Sequence, residues 1–421
     1  MNAFWLLLLP AALFNACMGA PIDLLEDPLP AGAAVYWGSF SDGGVYRMLR
    51  PNRGFVKRFY YGKFSLLTVD RLDSCYTDYY VEEYKRADKV FIYNTVVTNG
   101  VFRTRYRHTL YEITNVGVRS NKQALSEYLN GPVYLVLDVG NPNTRHPYIK
   151  SYKDGHESLF DASYKIFKSY SGCRERLTAH PNCNHYRISP VFDSRLPVTS
   201  DVRPTCVLYG SITDVMYNSD AHQYIVDVRK GMHMKTYYVE PSKGVIRAIS
   251  SAEAPKAHWQ PFSGCEDDEV RSDLSIVLDV GKIRQIDENL LVLENVRKGD
   301  WLYSRHEVVL YEDVKVVDVQ VVNSLRNTII YRSPRNVLVT HVERVVQEND
   351  GPDHVLIHCK IAKDNSVYPV IEGYVRLPGT DHYQLFRDVD TTVVVSAVNS
   401  LLSVAVPDSQ NASPSPSMQL D

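Results

Sequence analysis

Val136-Leu137-Asp138-Val139-Gly140 returns letter for letter as Val277-Leu278-Asp279-Val280-Gly281, 141 positions further along the chain. A second echo has close to half that spacing. Asp227-Val228-Arg229-Lys230-Gly231 reappears 68 positions later as Asn295-Val296-Arg297-Lys298-Gly299, and each copy leads into an aromatic segment. The two spacings together predict one module of about 70 residues copied in tandem. A tandem array moves the functional question from a single catalytic cleft to the surfaces of the modules.

The segments between these echoes alternate. Val90 to Val97, Phe102 to Ile113, Val133 to Val139, Tyr224 to Val228, Lys235 to Val239 and Glu307 to Val322 place β-branched and aromatic residues at every second position. That period suits half-buried strands. Tyrosine is heavy, at 29 residues, and supplies large side chains with a polar tip. The best helical signal is Ser120 to Leu129, with a polar cap and Gly131 behind it. The expected class is therefore mainly β: tandem repeats of a small antiparallel module, with few short helices.

Glycines in polar turns set the expected rhythm: Gly100, Gly155, Gly231, Gly299 and Gly379. With proline-rich gaps as linkers, the division reads 35–131 (short helix near 120–130), 132–204, 205–272, 273–350 and a partial module at 351–406. Residues 21–34 form a flexible lead, and the Ser/Pro-rich stretch 407–421 is expected to be disordered. Residues 1–20 carry a short apolar run followed by small residues before Pro21, the pattern of a secretory signal. Thr391 to Val406 is too short and too polar for a convincing membrane span.

Beyond Cys17 in the signal lie six cysteines: Cys75, Cys173, Cys183, Cys206, Cys265 and Cys359. In a secreted chain they could form three bridges, in any of about 15 pairings, whereas a chain that finishes in another cell's cytosol could keep them partly reduced. Tyr170-Ser171-Gly172-Cys173 and Phe262-Ser263-Gly264-Cys265 match, so equivalent corners of two modules carry a cysteine.

The net charge is −3, yet between Tyr46 and His108 there are 13 Lys and Arg against 6 Asp and Glu. A basic, tyrosine-rich face suits contact with an acidic protein or an anionic membrane surface. Its candidate residues are Lys57, Arg58, Tyr60, Tyr61, Arg103, Arg105 and Arg107. The near-neutral total and the expected export argue against a nucleic-acid partner for the stretch Lys57 to Phe64.

Chemistry-bearing motifs are sparse. Nucleophile elbows, phosphate loops and dinucleotide fingerprints are absent from the sequence. His180, Cys183 and His185 have metal-ligand spacing, although a disulfide turn with exposed histidines is the ordinary reading of such a loop. Met232-His233-Met234 reads as packing. His358 and Cys359 fall on opposite faces of an extended segment, which rules them out as a dyad. Neither a catalytic residue nor a cofactor is expected.

The succession of an apolar Leu-Asp strand, a polar glycine turn, an aromatic strand and a Val/Ile strand resembles the FAINT domain of the piroplasm parasites Theileria and Babesia. The elements are Leu278-Asp279-Val280, Lys298-Gly299, Trp301 to His306 and Val314 to Val319. An earlier set is Asp214-Val215, Lys230-Gly231, Lys235 to Val239 and Val245 to Ile249. By rhythm the resemblance covers about residues 65–390. Joined to a signal sequence, the pattern is similar to the spherical body proteins of Babesia. The resemblance implies export into, or residence at, the host cell. Together with the signal, the repeats, the missing catalytic motifs and the basic tyrosine-rich stretch, it leads to the expectation of a secreted, non-enzymatic protein delivered from a secretory organelle to the infected red cell, with cytoskeletal or membrane-surface components as partners. A different role fits the same features: an extracellular adhesin or a decoy for an immune ligand.

Overall fold

A computed structural model describes residues 21–26, 29, 33–51, 58–68, 77–99, 104–121, 131–141, 146–154, 157–161, 186–196, 206–230, 233–250, 253, 273–282, 284–298, 300–311, 316–363 and 366–385. Alternation delivers the strands. In Asp273–Asp279, Ile276 and Leu278 are buried while Val277 between them is 51 % exposed. The chain is mainly β, as the periodicity predicts. Among the described residues helical structure is limited to the 3₁₀ turns Pro241–Lys243 and Ser324–Arg326. Ser120 and Asn121, expected to start a helix, end a strand instead; the cap residues satisfy a β ladder equally well. Residues 122–129 lie outside the described residues.

The 27 strands among the described residues fall into three sets of nine. The first set is β1 (Ile22–Asp23), β2 (Ala33–Phe40), β3 (Val45–Pro51), β4 (Arg58–Tyr61), β5 (Phe64–Thr68), β6 (Thr77–Lys85), β7 (Val90–Asn99), β8 (Thr104–Thr114) and β9 (Gly117–Asn121). The second is β10 (Val133–Asp138), β11 (Lys150–Asp154), β12 (Glu157–Asp161), β13 (Tyr186–Phe192), β14 (Val207–Gly210), β15 (Ile212–Asn218), β16 (Gln223–Lys230), β17 (His233–Glu240) and β18 (Val245–Ile249). The third is β19 (Asp273–Asp279), β20 (Leu290–Lys298), β21 (Trp301–Val308), β22 (Val316–Asn323), β23 (Thr328–Arg332), β24 (Val337–Gln347), β25 (Asp353–Lys363), β26 (Ser366–Arg376) and β27 (Tyr383–Leu385).

Pairing is the same in each set. The first strand runs parallel to the fourth, and the fourth pairs antiparallel with the fifth. The second pairs with the third, the third with the sixth, and the sixth to ninth follow as a meander. In the outer two units a three-stranded mixed sheet faces a six-stranded antiparallel one across a shared core. The structure thus has three long units where the sequence suggests five short ones. The expected boundary at 351 separates β24 from its ladder partner β25, and that at 205 separates β13 from its partner β14.

An aspartate marks each unit, buried in the second and third and half-buried in the first. Asp138 Oδ1 accepts the N–H groups of Gly140 (2.9 Å) and Ser194 (3.1 Å), and Asp279 Oδ1 those of Gly281 (3.0 Å) and Ser324 (3.0 Å). Asp23 Oδ1 does the same with Leu25 (3.0 Å) and Gly62 (2.8 Å). The residue after each aspartate donates its N–H to the strand alongside at 2.9 Å: Leu24 to Tyr60, Val139 to Phe192 and Val280 to Val322. The carboxylate thereby satisfies two backbone donors where the parallel pair ends. A Cβ on Gly140 or Gly281 would lie within 3.0 Å of the crossing backbone at Ser194 or Ser324, which explains the glycine in both copies. These aspartates are 115 and 141 residues apart, so the letter-for-letter echo is one full period.

The 68-residue echo has another origin. Lys230 opposes His233 in the hairpin of strands seven and eight of the second unit, whereas Lys298 opposes Trp301 in the hairpin of strands two and three of the third. The two hairpins are locally alike and occupy different places in the unit, so they do not define a module of 70 residues.

The middle unit joins the outer two. β2 pairs with β10, and β20 pairs with β14, giving the continuous order β3-β2-β10-β13-β14-β20-β21. The central core therefore includes Tyr46 and Tyr84 of the first unit, Leu135, Ile188 and Val226 of the second, and Tyr303 and Leu356 of the third.

Candidate functional site

A groove of about 930 Å³ opens on the first unit. Strand β2 explains it. Tyr36 and Phe40 point into the central core, so Val35 and Trp37 take the opposite face. In the third unit the corresponding face is covered: β14 extends the sheet, and Val207, Tyr209, Leu290 and Val292 are buried together, with Ile286 packed on them. In the first unit β10 extends the sheet only alongside Gly38–Phe40, short of Trp37. Trp37 is 51 %, Leu25 57 % and Val45 41 % exposed, all lining the groove.

Charges ring this apolar floor. Arg47 pairs with Glu83 and also donates to the Leu24 carbonyl, which ties the two sheets of the first unit together. Arg86 lies 4.5 Å from the Phe40 ring and bridges to Asp42 at 3.1 Å. Tyr61, one of the expected contact residues, lines the same groove, and burial raises its phenol pKa, followed by the charge of Glu83.

The other expected contact residues are dispersed. Arg58 is exposed and Tyr60 half-buried on β4, whereas Arg107 is exposed on β8 of the other sheet. Arg105 precedes Arg107 by two positions on β8; Lys57 and Arg103 lie outside the described residues. The structure thus divides the expected basic face between two sheets.

His180, Cys183 and His185 lie outside the described residues, as do Cys75, Cys173 and Cys265. Cys206 and Cys359, candidates for bridges, are both buried, and Cys359 is a free thiol. The Cys206 thiol faces the Pro241 carbonyl at 3.6 Å, and Cys359 packs beside the Tyr331 hydroxyl at 3.8 Å in a separate core. Spacing does not reveal this, because a buried thiol packs as a small apolar residue. His358 and Cys359 do face opposite ways, Cys359 into the core of the third unit.

Three polar clusters escaped sequence reasoning. In the first, Glu82 is fully buried between units one and two. Its Oε1 accepts from Tyr46 (2.8 Å), Tyr84 (3.0 Å) and Tyr186 (3.2 Å), and its Oε2 from Tyr148 (2.9 Å). Burial first, then the Glu82 charge, push all four phenols well above their usual range, so they remain donors. In the second, the buried Asp193 accepts from Tyr217, from Arg195 (3.0 Å) and from His222 Nδ1 (2.9 Å). Burial works to raise its pKa, but these hydrogen bonds prevail and hold it well below the usual carboxylate range.

The third cluster crosses strands β21, β24 and β25. His341 pairs with both Glu307 and His358, and Glu343 pairs with Arg305. Tyr303 donates to Glu343 Oε1 at 2.7 Å, and Arg305 binds Glu307 at 3.0 Å. On the opposite face of β21 lies His306, 2 % exposed, with neither ring nitrogen hydrogen-bonded among the described residues. Burial, followed by the nearby Arg344 charge, lowers its pKa to about 4.

An acid sensitivity follows from His306. The unfolded histidine takes its proton near pH 6.5, the folded one only near 4, so stability falls as the pH drops through that window. At pH 5 the loss is about 2 kcal/mol. His306→Phe should reduce the stability slope between pH 6.5 and 4 by about one proton. Denaturant melts at pH 7 and pH 5 measure this; an unchanged slope refutes it.

No helix among the described residues is long and apolar enough to cross a membrane. Comparisons with protein-family models, with curated proteins and with solved structures find no match.

Proposed function

We propose that this chain is a secreted, non-enzymatic array of β-sandwich units that acts on a host cell by binding a protein of the erythrocyte cytoskeleton or inner membrane surface. The observation that carries this reading is the groove of the first unit, where Leu25, Trp37 and Val45 stand exposed inside a ring of charge. A buried aromatic anchor with a polar rim is how protein contacts are built. The rim mixes Asp42 and Asp88 with Lys85 and Arg86, which suits a protein better than a polyanion. Resemblance to the FAINT domain supports the host-cell setting. The free thiol of Cys359 favours a reducing compartment such as host cytosol over life as an extracellular adhesin.

Retention on erythrocyte ghosts tests this. The protein should be retained above a reversed-charge control, and Trp37→Ala combined with Leu25→Ala should weaken retention by about tenfold or more. Retention equal to the control, or unaffected by the double change, overturns the reading.

A further inference from the structure

Residues around a β-bulge in the third unit have the arrangement of a metal site. Between β24 and β25 the register shifts, so that Val339 opposes Cys359 and His341 opposes His358, with Thr340 as the extra residue. Without the bulge, His341 would share a face with Val339, which is buried in the core of the third unit. The bulge turns it outward to join His358. Their rings stack with centroids 3.9 Å apart, and Glu343 stands two residues along on the same face.

Hydrogen bonds around the trio prepare each ligand atom. Thr340 donates its hydroxyl proton to the His358 carbonyl, 3.1 Å away, so its oxygen accepts from His341 Nδ1 at 3.2 Å. That assignment leaves a lone pair on His341 Nε2. Glu343 Oε1 is held by Tyr303 at 2.7 Å, with Arg305 at 3.7 Å, which leaves Oε2 turned toward His358. His358 Nε2 already approaches Oε2 at 2.8 Å. Ligand histidines held through their other nitrogen, and ligand carboxylates held through their other oxygen, are the usual surroundings of a bound metal.

We propose that His341, Glu343 and His358 bind a first-row divalent ion of the zinc class through His341 Nε2, Glu343 Oε2 and His358 Nε2. One ligand atom from each residue lies within 4.8 Å of the others. A tetrahedral zinc site brings such atoms to roughly 3.3 Å, a closure that side-chain rotation supplies. His358 moves its ring proton to Nδ1 on binding. Two imidazoles and one carboxylate select zinc, cobalt or nickel over calcium or magnesium.

The side chains of His358 and Glu343 are 18 % and 11 % exposed, so solvent reaches the edge of the site. This site uses none of His180, Cys183 and His185, and none of its three residues lines the binding groove.

The test titrates chelator-treated full-length mature protein with Co²⁺ and Zn²⁺. One equivalent should bind, with a visible Co²⁺ ligand-field band. His341→Ala and His358→Ala should each abolish the band and weaken Zn²⁺ binding by at least about 100-fold, and Thr340→Val, with the fold unchanged by circular dichroism, by about tenfold. Binding below about a tenth of an equivalent, equal affinity in the His341→Ala/His358→Ala double variant, or loss only on changing His180 and His185 would overturn the proposal.

Discussion

Replacing Glu82 by Leu is expected to destabilise the protein by about 3–5 kcal/mol. Glu82 is 0 % exposed and takes hydrogen bonds from Tyr46, Tyr84, Tyr148 and Tyr186. Leucine fills most of the volume but removes the shared acceptor of four buried hydroxyls, and each orphaned donor costs about 1–3 kcal/mol before relaxation. Tyr84 and Tyr186 recover part of this by bonding to each other, since their hydroxyls already lie 3.1 Å apart. Tyr148→Phe should cost less, about 1–2 kcal/mol, because the carboxylate keeps three donors. Tyr46, Glu82 and Tyr84 belong to the first unit and Tyr148 and Tyr186 to the second, so the Glu82→Leu loss should appear as early separation of these units. Denaturant unfolding with hydrogen exchange reads both quantities. A change below about 1 kcal/mol would show that the carboxylate does not hold the junction.

Asp279→Ala should cost about 2–4 kcal/mol, because it strands the N–H groups of Gly281 and Ser324 where β19 and β22 end. Asp138→Ala should match it within about 1 kcal/mol, since its two acceptor contacts have the same geometry. Asp279→Asn should recover most of the loss, because the amide oxygen accepts both bonds. Melting curves of the three variants decide the point. Unequal losses for Asp138 and Asp279, or an asparagine as damaging as alanine, would remove the structural equivalence of the units. The third unit echoes the first in another respect: Arg344 donates to the Val280 carbonyl as Arg47 does to that of Leu24.

Part of the candidate sites was legible and part was not, for reasons visible in particular residues. Tyr61 was found because an aromatic in a basic stretch stands out, and it lines the groove. Trp37 was missed: exposure of one face of β2 depends on how far β10 runs alongside it, which no local pattern encodes. His341 and His358 are 17 residues apart in sequence, and only the register of β24 against β25 brings them together.

The sequence by itself determined the strands. Alternation is a local property, set by each residue's preference for core or water, and it survives in every unit. It also contained the true period in Val-Leu-Asp-Val-Gly, because a buried aspartate capping two backbone donors tolerates few substitutes. Tertiary structure alone decided which echoes were equivalent, since hairpins of like sequence form at two different places in the unit. It also decided how β10 and β14 join the outer units and where a bulge turns His341 outward. Those outcomes depend on long-range strand register, whose energy is distributed over residues far apart in the chain.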